Sequence, residues 1–335
     1  MKIPCQASDC IGAIAVFAIL AGAPLFSVSS SSDYDDQLNS FSRIAQIEVG
    51  SRFGAPQEAP DATHAEDVRT IYVSVADQSG TPIDNLGLND FTITAGGEPQ
   101  QILNVSSAKA VPLTLGILVD WSGSVRNEPA LRDELELLWQ FLKAALTTSD
   151  RAVVVAFNDD IVCVNEITGD LPKLHAQLSQ IAEAGPRGST ALFDSLDQVS
   201  SKIAADSNPH KVVLVLSDFE DTASRGSLDK MLQRVVGTGV TVFAAFEGNE
   251  YSKKIGWKNA RQIAKKSGGF AYSAKASANL AAALNQLVVA LRSGYQIEYR
   301  ATGRGDKHHA VSVKVGVRRA GAVVFAPEYG AAVRP

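Results

Sequence analysis

The stretch Leu113-Thr-Leu-Gly-Ile-Leu-Val-Asp120-Trp-Ser122-Gly-Ser124 decides the fold that the sequence predicts. The residues before Asp120 are almost all apolar on both faces of an extended chain, which is typical of a strand buried inside a parallel sheet. In open α/β sheets, ligands bind beyond the carboxyl ends of the strands. Asp120, Ser122 and Ser124 follow this strand at alternate positions, so we expect their oxygen-bearing side chains to point the same way.

The chemistry of these three side chains indicates a divalent cation. Carboxylate and hydroxyl oxygens are hard ligands that suit Mg²⁺ or Mn²⁺. No cysteine or histidine lies in this stretch, which argues against zinc. No glycine-rich phosphate loop follows a strand at the spacing that nucleotide binding requires. We therefore expect Mg²⁺, or Mn²⁺, as the cofactor.

Alternating strand and helix patterns extend from this strand to about residue 293. They predict an α/β domain over residues 111–293, with a doubly wound, mostly parallel, Rossmann-like sheet and helices on both faces. Residues 161–167 are predicted to form a hairpin with the strand before them. The predicted strands are 113–120, 151–157, 211–216, 240–246 and 270–272; the predicted helices are 129–146, 171–181, 192–203, 228–236, 254–266 and 280–291.

The two flanks of this domain are β-rich. Residues 67–110 contain three short strand patterns separated by turn signals, and residues 294–335 contain three more. Short strands at this spacing indicate an antiparallel, sandwich-like module. The patterns leave open whether the two flanks pair with each other around an inserted α/β domain.

The amino terminus has the pattern of a secretory signal. A weakly positive start precedes the apolar run 11–20, and small residues at 21–23 fit cleavage after Ala23. Residues 24–66 are rich in Ser, Asp, Ala and Pro, and they predict a flexible linker. We expect the chain to be secreted, periplasmic or part of the cell envelope, with no membrane span after cleavage. An uncleaved anchor is the alternative, although the run is shorter than the ~20 residues that a spanning helix needs.

The amino-acid composition and net charge argue against some classes of binding partner. The chain has 335 residues, of which 45% are hydrophobic and 20% are charged, so most of it can bury a core. Its net charge of −5 argues against nucleic acid or an anionic membrane as partner. Cys5 and Cys10 would leave with the signal, so no disulfide framework is available and Cys163 is expected to be a small buried hydrophobe.

Two further residues follow strand and loop signals that bring them to the same edge of the sheet. Thr190 comes after a glycine-containing loop and before a predicted helix, so its hydroxyl is alternatively a helix N-cap. Asp218 ends the apolar strand 211–216 and is alternatively a turn residue. Considered one residue at a time, the N-cap role of Thr190 and the turn role of Asp218 are the simpler interpretations. Together with Asp120 they place carboxylates and hydroxyls on three strand-end loops of one sheet.

These residues resemble the metal-ion-dependent adhesion site of von Willebrand factor type A domains. The matching segments are Asp120-Trp-Ser-Gly-Ser124, Gly188-Ser-Thr190 and Ser217-Asp218-Phe219, and the likeness covers about residues 112–293. All five ligand positions of the family pattern carry the expected residue type; they are Asp120, Ser122, Ser124, Thr190 and Asp218. Phe219 departs from the glycine that is often found there. The flanks also resemble the secreted type A-related proteins of Acidobacteria and similar bacteria.

The resemblance implies an adhesion-type protein-binding module rather than an enzyme. Family precedent implies that an Asp or Glu carboxylate of a partner protein completes the coordination of the ion. Three other interpretations remain: a structural envelope scaffold with an unused site, a Mg²⁺-dependent phosphohydrolase, and a serine hydrolase. Ser122 stands where such a phosphohydrolase needs an acidic proton donor, and no Gly-x-Ser-x-Gly elbow is present. The sequence does not predict the oligomeric state.

Two other acidic features have simpler interpretations. Arg304-Gly305-Asp306 spells an adhesion tripeptide, but Gly and Asp are ordinary residues of a turn between two strands. Asp221 is expected to be a solvated turn charge, and holding a metal-bound water is its alternative role.

Overall fold

The computed structural model describes residues 67–77, 81–123, 128–162, 165–248, 254–274, 277–301 and 312–326. Several of the predictions above concern residues outside these ranges. They are the signal segment and linker (1–66), Ser124, Cys163 and the tripeptide at 304–306.

Eleven strands and six helices occur in this part of the chain. The strands are β1 (Asp67–Ala76), β2 (Phe91–Ala95), β3 (Glu98–Ser107), β4 (Leu113–Asp120), β5 (Arg151–Phe157), β6 (His210–Ser217), β7 (Thr241–Phe246), β8 (Ala271–Ser273), β9 (Tyr295–Ala301), β10 (Val313–Val317) and β11 (Val323–Phe325). The helices are α1 (Glu128–Ala145), α2 (Leu171–Ala184), α3 (Leu192–Ala204), α4 (Leu228–Gly237), α5 (Gly256–Ser267) and α6 (Ser277–Arg292).

The central sheet is parallel, and β4 lies inside it. Its strand order is β5-β4-β6-β7-β8, and all four pairings are parallel. Every residue of β4 is buried, as its continuous apolar pattern predicts. The predicted α/β fold class is confirmed.

Helices cover both faces of this sheet. One face packs against α1, α2 and α6, and the other against α3, α4 and α5. The amphipathic stripe of α1 accounts for its position, because Leu135, Leu138 and Leu142 all pack into the first face. Leu138 has no exposed surface, so its replacement by alanine should cost about 2–5 kcal/mol of folding free energy.

The two β-rich flanks pair with each other. Their strands form one antiparallel sheet of six strands, in the order β10-β2-β3-β9-β1-β11. β9, which follows the α/β domain, pairs with both β1 and β3, which precede it. Ile71, Val73 and Ile297 bury one face of this sheet, and the Tyr295 hydroxyl donates a 2.7 Å hydrogen bond to the carbonyl of Ile83. The module is therefore one hydrogen-bonded sheet rather than two.

The antiparallel sheet contacts the α/β domain at the amino-terminal end of β6. The rings of Tyr72 and His210 stack there with their centroids 4.5 Å apart. Both side chains are largely buried, and neither the Tyr72 hydroxyl nor His210 Nδ1 has a hydrogen-bond partner in the part of the chain that is described. This contact lies at the opposite end of the parallel strands from Asp120.

The predicted hairpin after β5 is wrong. Among the described residues of 161–167 there is no strand, and only isolated bridges join Phe157 to Ile161 and Ala152 to Thr168. Backbone bonds between Ala152 and Thr168 and two side chains take the place of a second strand at the β5 edge. The Val154 amide donates to Gln177 Oε1 at 2.9 Å, and the Val154 carbonyl accepts from Asn165 Nδ2 at 2.7 Å. These bonds satisfy the edge backbone without a strand.

No helix within the ranges given above is both long and apolar enough to cross a bilayer.

Candidate metal centre

The carboxylate of Asp120 is held in place at the carboxyl end of β4. Its Oδ1 accepts a 3.1 Å hydrogen bond from the Ser122 amide, and its Oδ2 accepts a 2.6 Å hydrogen bond from the Ser217 hydroxyl. Asp120 is only 3% exposed, and Ser122 and Ser217 are buried as well. Each carboxylate oxygen can accept more than one bond, so this arrangement fixes the side chain and still leaves capacity for a cation.

Backbone hydrogen bonds join the loop after β4 to the loop that carries Thr190. The Gly123 amide donates to the carbonyl of Gly188 at 3.0 Å, and the Arg187 amide donates to the carbonyl of Trp121 at 3.0 Å. Gly188 has a φ of +77°, which favours glycine at this position. The loops that carry Ser122 and Thr190 therefore lie side by side.

A second set of bonds joins Thr190 to the loop after β6. The amides of Thr222 and Ala223 donate to the Thr190 carbonyl at 2.8 and 3.0 Å, and the Thr190 amide donates to Thr222 Oγ1 at 3.0 Å. Asp218 lies four residues before Thr222 in that loop. The structure thus brings together the three loops that carry Asp120, Ser122, Thr190 and Asp218.

Thr190 is not the N-cap of the helix that follows it. The N-cap position of α3 is Ala191, which makes no side-chain capping bond. The capping alternative for Thr190 is therefore wrong, because the helix begins one residue later than that role requires. The side chain of Thr190 is nevertheless buried, at the edge of the sheet where the strand ends meet.

The two aspartates share an electrostatic environment that disfavours their charged forms. Burial raises the pKa of Asp120, and the negative charge of Asp218 raises it further, against the lowering effect of the Ser217 and Ser122 hydrogen bonds. Burial also raises the pKa of Asp218, whose Oδ1 accepts from the Glu220 amide at 3.0 Å, as a turn residue does. A cation between the two carboxylates would offset both effects.

Phe219 adopts the backbone conformation that explains why glycine is common at its position. Its φ is +56°, which costs a non-glycine residue about 1–2 kcal/mol. Its ring is completely buried among the residues under α3 and α4, which offsets that strain by about 1.5–3 kcal/mol. Its amide donates to Ser217 Oγ at 2.9 Å, and its carbonyl accepts from Asn259 Nδ2 at 3.1 Å. The loop therefore differs from the family pattern at Phe219, and the buried ring and these hydrogen bonds hold it in place.

Asp221 has a structural role that its sequence position did not reveal. Its Oδ2 accepts from the Phe193 amide at 2.9 Å and from the Ser224 hydroxyl at 2.5 Å, and its Oδ1 accepts from the Ser224 amide at 3.1 Å. These bonds anchor the first turn of α3 to the loop after β6. Asp221 is therefore a structural anchor rather than a solvated turn charge.

Two glutamates near the site, the buried Glu134 and the partly buried Glu247, were missed in the sequence. Glu134 on α1 is 7% exposed; burial, followed by the charge of Asp120, raises its pKa well above the usual range. Glu247 follows β7 directly, and its pKa is raised by burial and by the charges of Glu134, Asp120 and Asp218. The sequence contains a signal for each of these two glutamates. Glu134 interrupts the apolar stripe of α1, and Glu247 ends an apolar strand as Asp120 does.

The donor set fits a hard divalent cation, but only if hydroxyl oxygens take part. Within the described ranges, no three His, Cys, Asp or Glu side chains are arranged to hold a metal ion by themselves. An ion here would depend on the hydroxyls of Ser122 and Thr190 in addition to Asp120 and Asp218. Oxygen donors of this kind suit Mg²⁺ or Mn²⁺. Ser124, the fifth predicted ligand, lies outside the described residues.

Comparison with solved structures finds distant similarities, with TM-scores below 0.5. A von Willebrand factor type A protein from Catenulispora acidiphila is 15% identical, with 79% of this chain and 73% of that chain covered and a TM-score of 0.46. An aerotolerance-related membrane protein from Bacteroides fragilis is 15% identical, with 53% and 98% covered and a TM-score of 0.43. The pilus adhesin SpaC from Lactobacillus rhamnosus GG is 12% identical, with 72% and 47% covered and a TM-score of 0.44.

The family assignment rests on sequence. No curated protein matches the chain. Residues 89–250 match a family model described as "VWA domain containing CoxE-like protein". This segment includes the loops of Asp120, Thr190 and Asp218 and most of the parallel sheet. Over residues 89–250, a little under half of its length, the chain matches von Willebrand factor type A domain proteins.

Proposed function

We propose that the chain is an extracytoplasmic protein-binding module of the adhesion type, in which a divalent ion links it to a partner protein. Asp120, Ser122, Ser124, Thr190 and Asp218 would hold the ion, which is Mg²⁺ or Mn²⁺. One observation carries the proposal: hydrogen bonds join the loops after β4 and β6 to the loop between α2 and α3, so Asp120, Ser122, Thr190 and Asp218 lie on adjoining loops.

The residues around this edge suit binding better than chemistry. Ser122 and Thr190 are neutral donors, so only Asp120 and Asp218 oppose the charge of an ion directly. When bound, the ion would supply an electrophilic position that accepts an Asp or Glu carboxylate from outside. Mg²⁺ keeps several waters in proteins, which is compatible with such an exchangeable position.

The absence of an enzymatic role is part of the proposal. A phosphohydrolase of the type considered above needs an acidic proton donor two residues after its nucleophilic aspartate. That position is Ser122, whose hydroxyl cannot act as this donor near neutral pH. Asp120, fixed by hydrogen bonds from Ser122 and Ser217, is arranged to coordinate rather than to attack.

Location follows from the sequence pattern of residues 1–23. If that segment is a cleaved signal, the site lies in the periplasm, on the cell envelope or outside the cell, where a partner protein can reach it. Radiolabelling or mass spectrometry of the mature amino terminus tests this part of the proposal. A chain that begins after Ala23 supports it, and a cytoplasmic, unprocessed chain contradicts it.

The partner is tested by metal-dependent capture from envelope and secreted fractions. The expected result is a protein that binds the wild type in Mg²⁺, is released by chelator, and is not bound by Asp120→Ala. Replacement of one Asp or Glu in that protein by Asn or Gln should abolish capture. Capture that is unchanged by chelator, and by every such replacement, would contradict the bridging role. A scaffold with an unused site would also show no gain in Tm with Mg²⁺.

A further inference from the structure

Glu134 is a buried acid in an apolar setting. It lies on α1 beside Leu135 and Leu138, which pack against the sheet face that also buries Trp121. Its Oε1 has no hydrogen-bond partner among the residues described. A carboxylate in such a position is strongly disfavoured unless it meets donors or a positive charge. Burial of Glu134 therefore costs stability unless a donor or a cation meets it.

Strand register places Glu247 on the same side of the sheet as Glu134. Leu216 of β6 is paired with Ala245 of β7, and the Glu247 amide donates to the Ser217 carbonyl at 3.0 Å. Side chains alternate along a strand, so position 247 shares a face with Phe243 and Ala245. That is the face covered by α1 and α6. Both glutamates thus lie on the α1 and α6 face, opposite the face to which alternation along β4 turns Asp120.

A buried donor lies next to the same strand end. The indole Nε1 of Trp121 also has no partner within the described part of the chain, and this ring is 2% exposed. Water can satisfy an unpartnered donor and an unpartnered acceptor that lie on the same face of the sheet. Waters bound to a divalent ion are strong hydrogen-bond donors, and carboxylates outside the ligand set commonly orient what the metal holds.

We propose that Glu134, together with Glu247, is a positioning residue that accepts hydrogen bonds from the waters of the bound ion and thereby favours Mg²⁺ over Ca²⁺. The inference rests on the proposed function. Mg²⁺ is small and dehydrates reluctantly, so it keeps waters that such carboxylates can hold. Ca²⁺ takes more protein oxygens directly, so it depends less on them. The two glutamates would set which ion the site selects.

The test compares Glu134→Gln with Glu136→Gln by titration calorimetry, using Mg²⁺ and Ca²⁺ separately. Glu136 lies two residues away on the same helix, is exposed, and accepts a 2.5 Å bond from Gln140, so it is a matched control. Glu134→Gln should weaken Mg²⁺ binding about 10–100-fold and change Ca²⁺ binding much less. Glu136→Gln should leave the ratio of the two affinities unchanged.

A second variant tests the inference if Glu134→Gln does not fold. Glu247→Gln should shift the Mg²⁺ to Ca²⁺ ratio in the same direction, and metal-free Tm values report whether each variant is folded. Equal loss of both ions, or no loss, in a folded Glu134→Gln protein would overturn this inference and leave the proposed function standing. A wild type that binds neither ion would overturn both.

Discussion

The hydroxyl of Ser217 donates a 2.6 Å hydrogen bond to Oδ2 of Asp120, although the two residues are 97 positions apart in the chain. The bond joins the end of β6 to the end of β4. Ser217 Oγ also accepts from the Phe219 amide at 2.9 Å, so one hydroxyl holds both the Asp120 carboxylate and the loop of Asp218. The two aspartates are thus positioned by a common residue.

Ser217→Ala should destabilise the protein by about 2–3 kcal/mol, because a buried carboxylate loses its donor and a buried amide loses its acceptor. Urea unfolding measures this loss. Ser200→Ala is the control, since Ser200 is equally buried and its Oγ has no partner in the described part of the chain. Equal losses for the two variants would show that the Ser217 bonds contribute nothing specific.

Substitutions at Phe219 separate the free-energy cost of backbone strain from the gain of ring burial. Phe219→Ala keeps a side chain in the left-handed conformation and loses the ring, so we expect a loss of about 3–5 kcal/mol. Phe219→Gly loses the ring but relieves the strain, so it should be more stable than Phe219→Ala by about 1 kcal/mol. Urea unfolding of both variants gives the order. A glycine variant that is less stable than the alanine variant would contradict the strain assigned to this position.

Gly256 lies so close to the Asp218 backbone that no side chain fits at its position. A Cβ at this position would come within 1.9 Å of the Asp218 carbonyl oxygen, and neither backbone can move easily. Gly256→Ala should therefore displace Asp218 and weaken Mg²⁺ binding at least 10-fold, as well as lowering Tm. Gly237→Ala, where a Cβ meets nothing within 4 Å, should leave binding unchanged and raise stability by up to about 1 kcal/mol. Unaltered Mg²⁺ affinity in Gly256→Ala would contradict the close approach.

His210 should make the fold sensitive to acid. Burial, followed by the charge of Arg292, lowers its pKa to about 4, and the charge of Asp150 opposes this. The unfolded chain has a histidine pKa of about 6.5, so between these values it binds more protons than the folded chain, and stability falls as pH falls. At pH 5 the loss is about 2 kcal/mol relative to pH 7.

The carboxylates with raised pKa values respond to acid in the opposite direction, so the His210 effect is measured as a difference. His210→Phe keeps an aromatic ring against Tyr72 but cannot gain a proton. Urea unfolding of wild type and variant at pH 7 and pH 5 isolates the effect. Parallel losses in the two proteins would mean that His210 is not held neutral by the fold.

Patterns local to one element predicted most of the fold. The apolar runs of β4 and β6 and the stripe of α1 depend on burial alone, so sequence indicates them directly. The predicted hairpin after β5 is replaced by isolated bridges and by Gln177, on a helix, which binds the backbone of Val154. Such competition between a distant side chain and a strand is not visible in a local pattern.

The candidate site also contains some residues that local sequence patterns predict and others that they do not. Asp120 and Asp218 could be found because each ends an apolar strand, and the structure places their loops together; their role as ligands stays a prediction. The supporting groups were harder to find. Ser217 gains its importance from a bond across the sheet, and Glu134 from burial under a neighbouring helix. Both depend on tertiary contacts rather than on spacing.

Titration calorimetry of Mg²⁺ into wild type, Asp120→Ala and Asp133→Ala tests the central claim most directly. Asp133 is an exposed carboxylate on α1, so its removal changes the net charge by the same amount without touching the site. The account predicts binding by wild type and Asp133→Ala, no binding by Asp120→Ala, and a folded structure for all three by circular dichroism. Equal binding by wild type and a folded Asp120→Ala protein would contradict it.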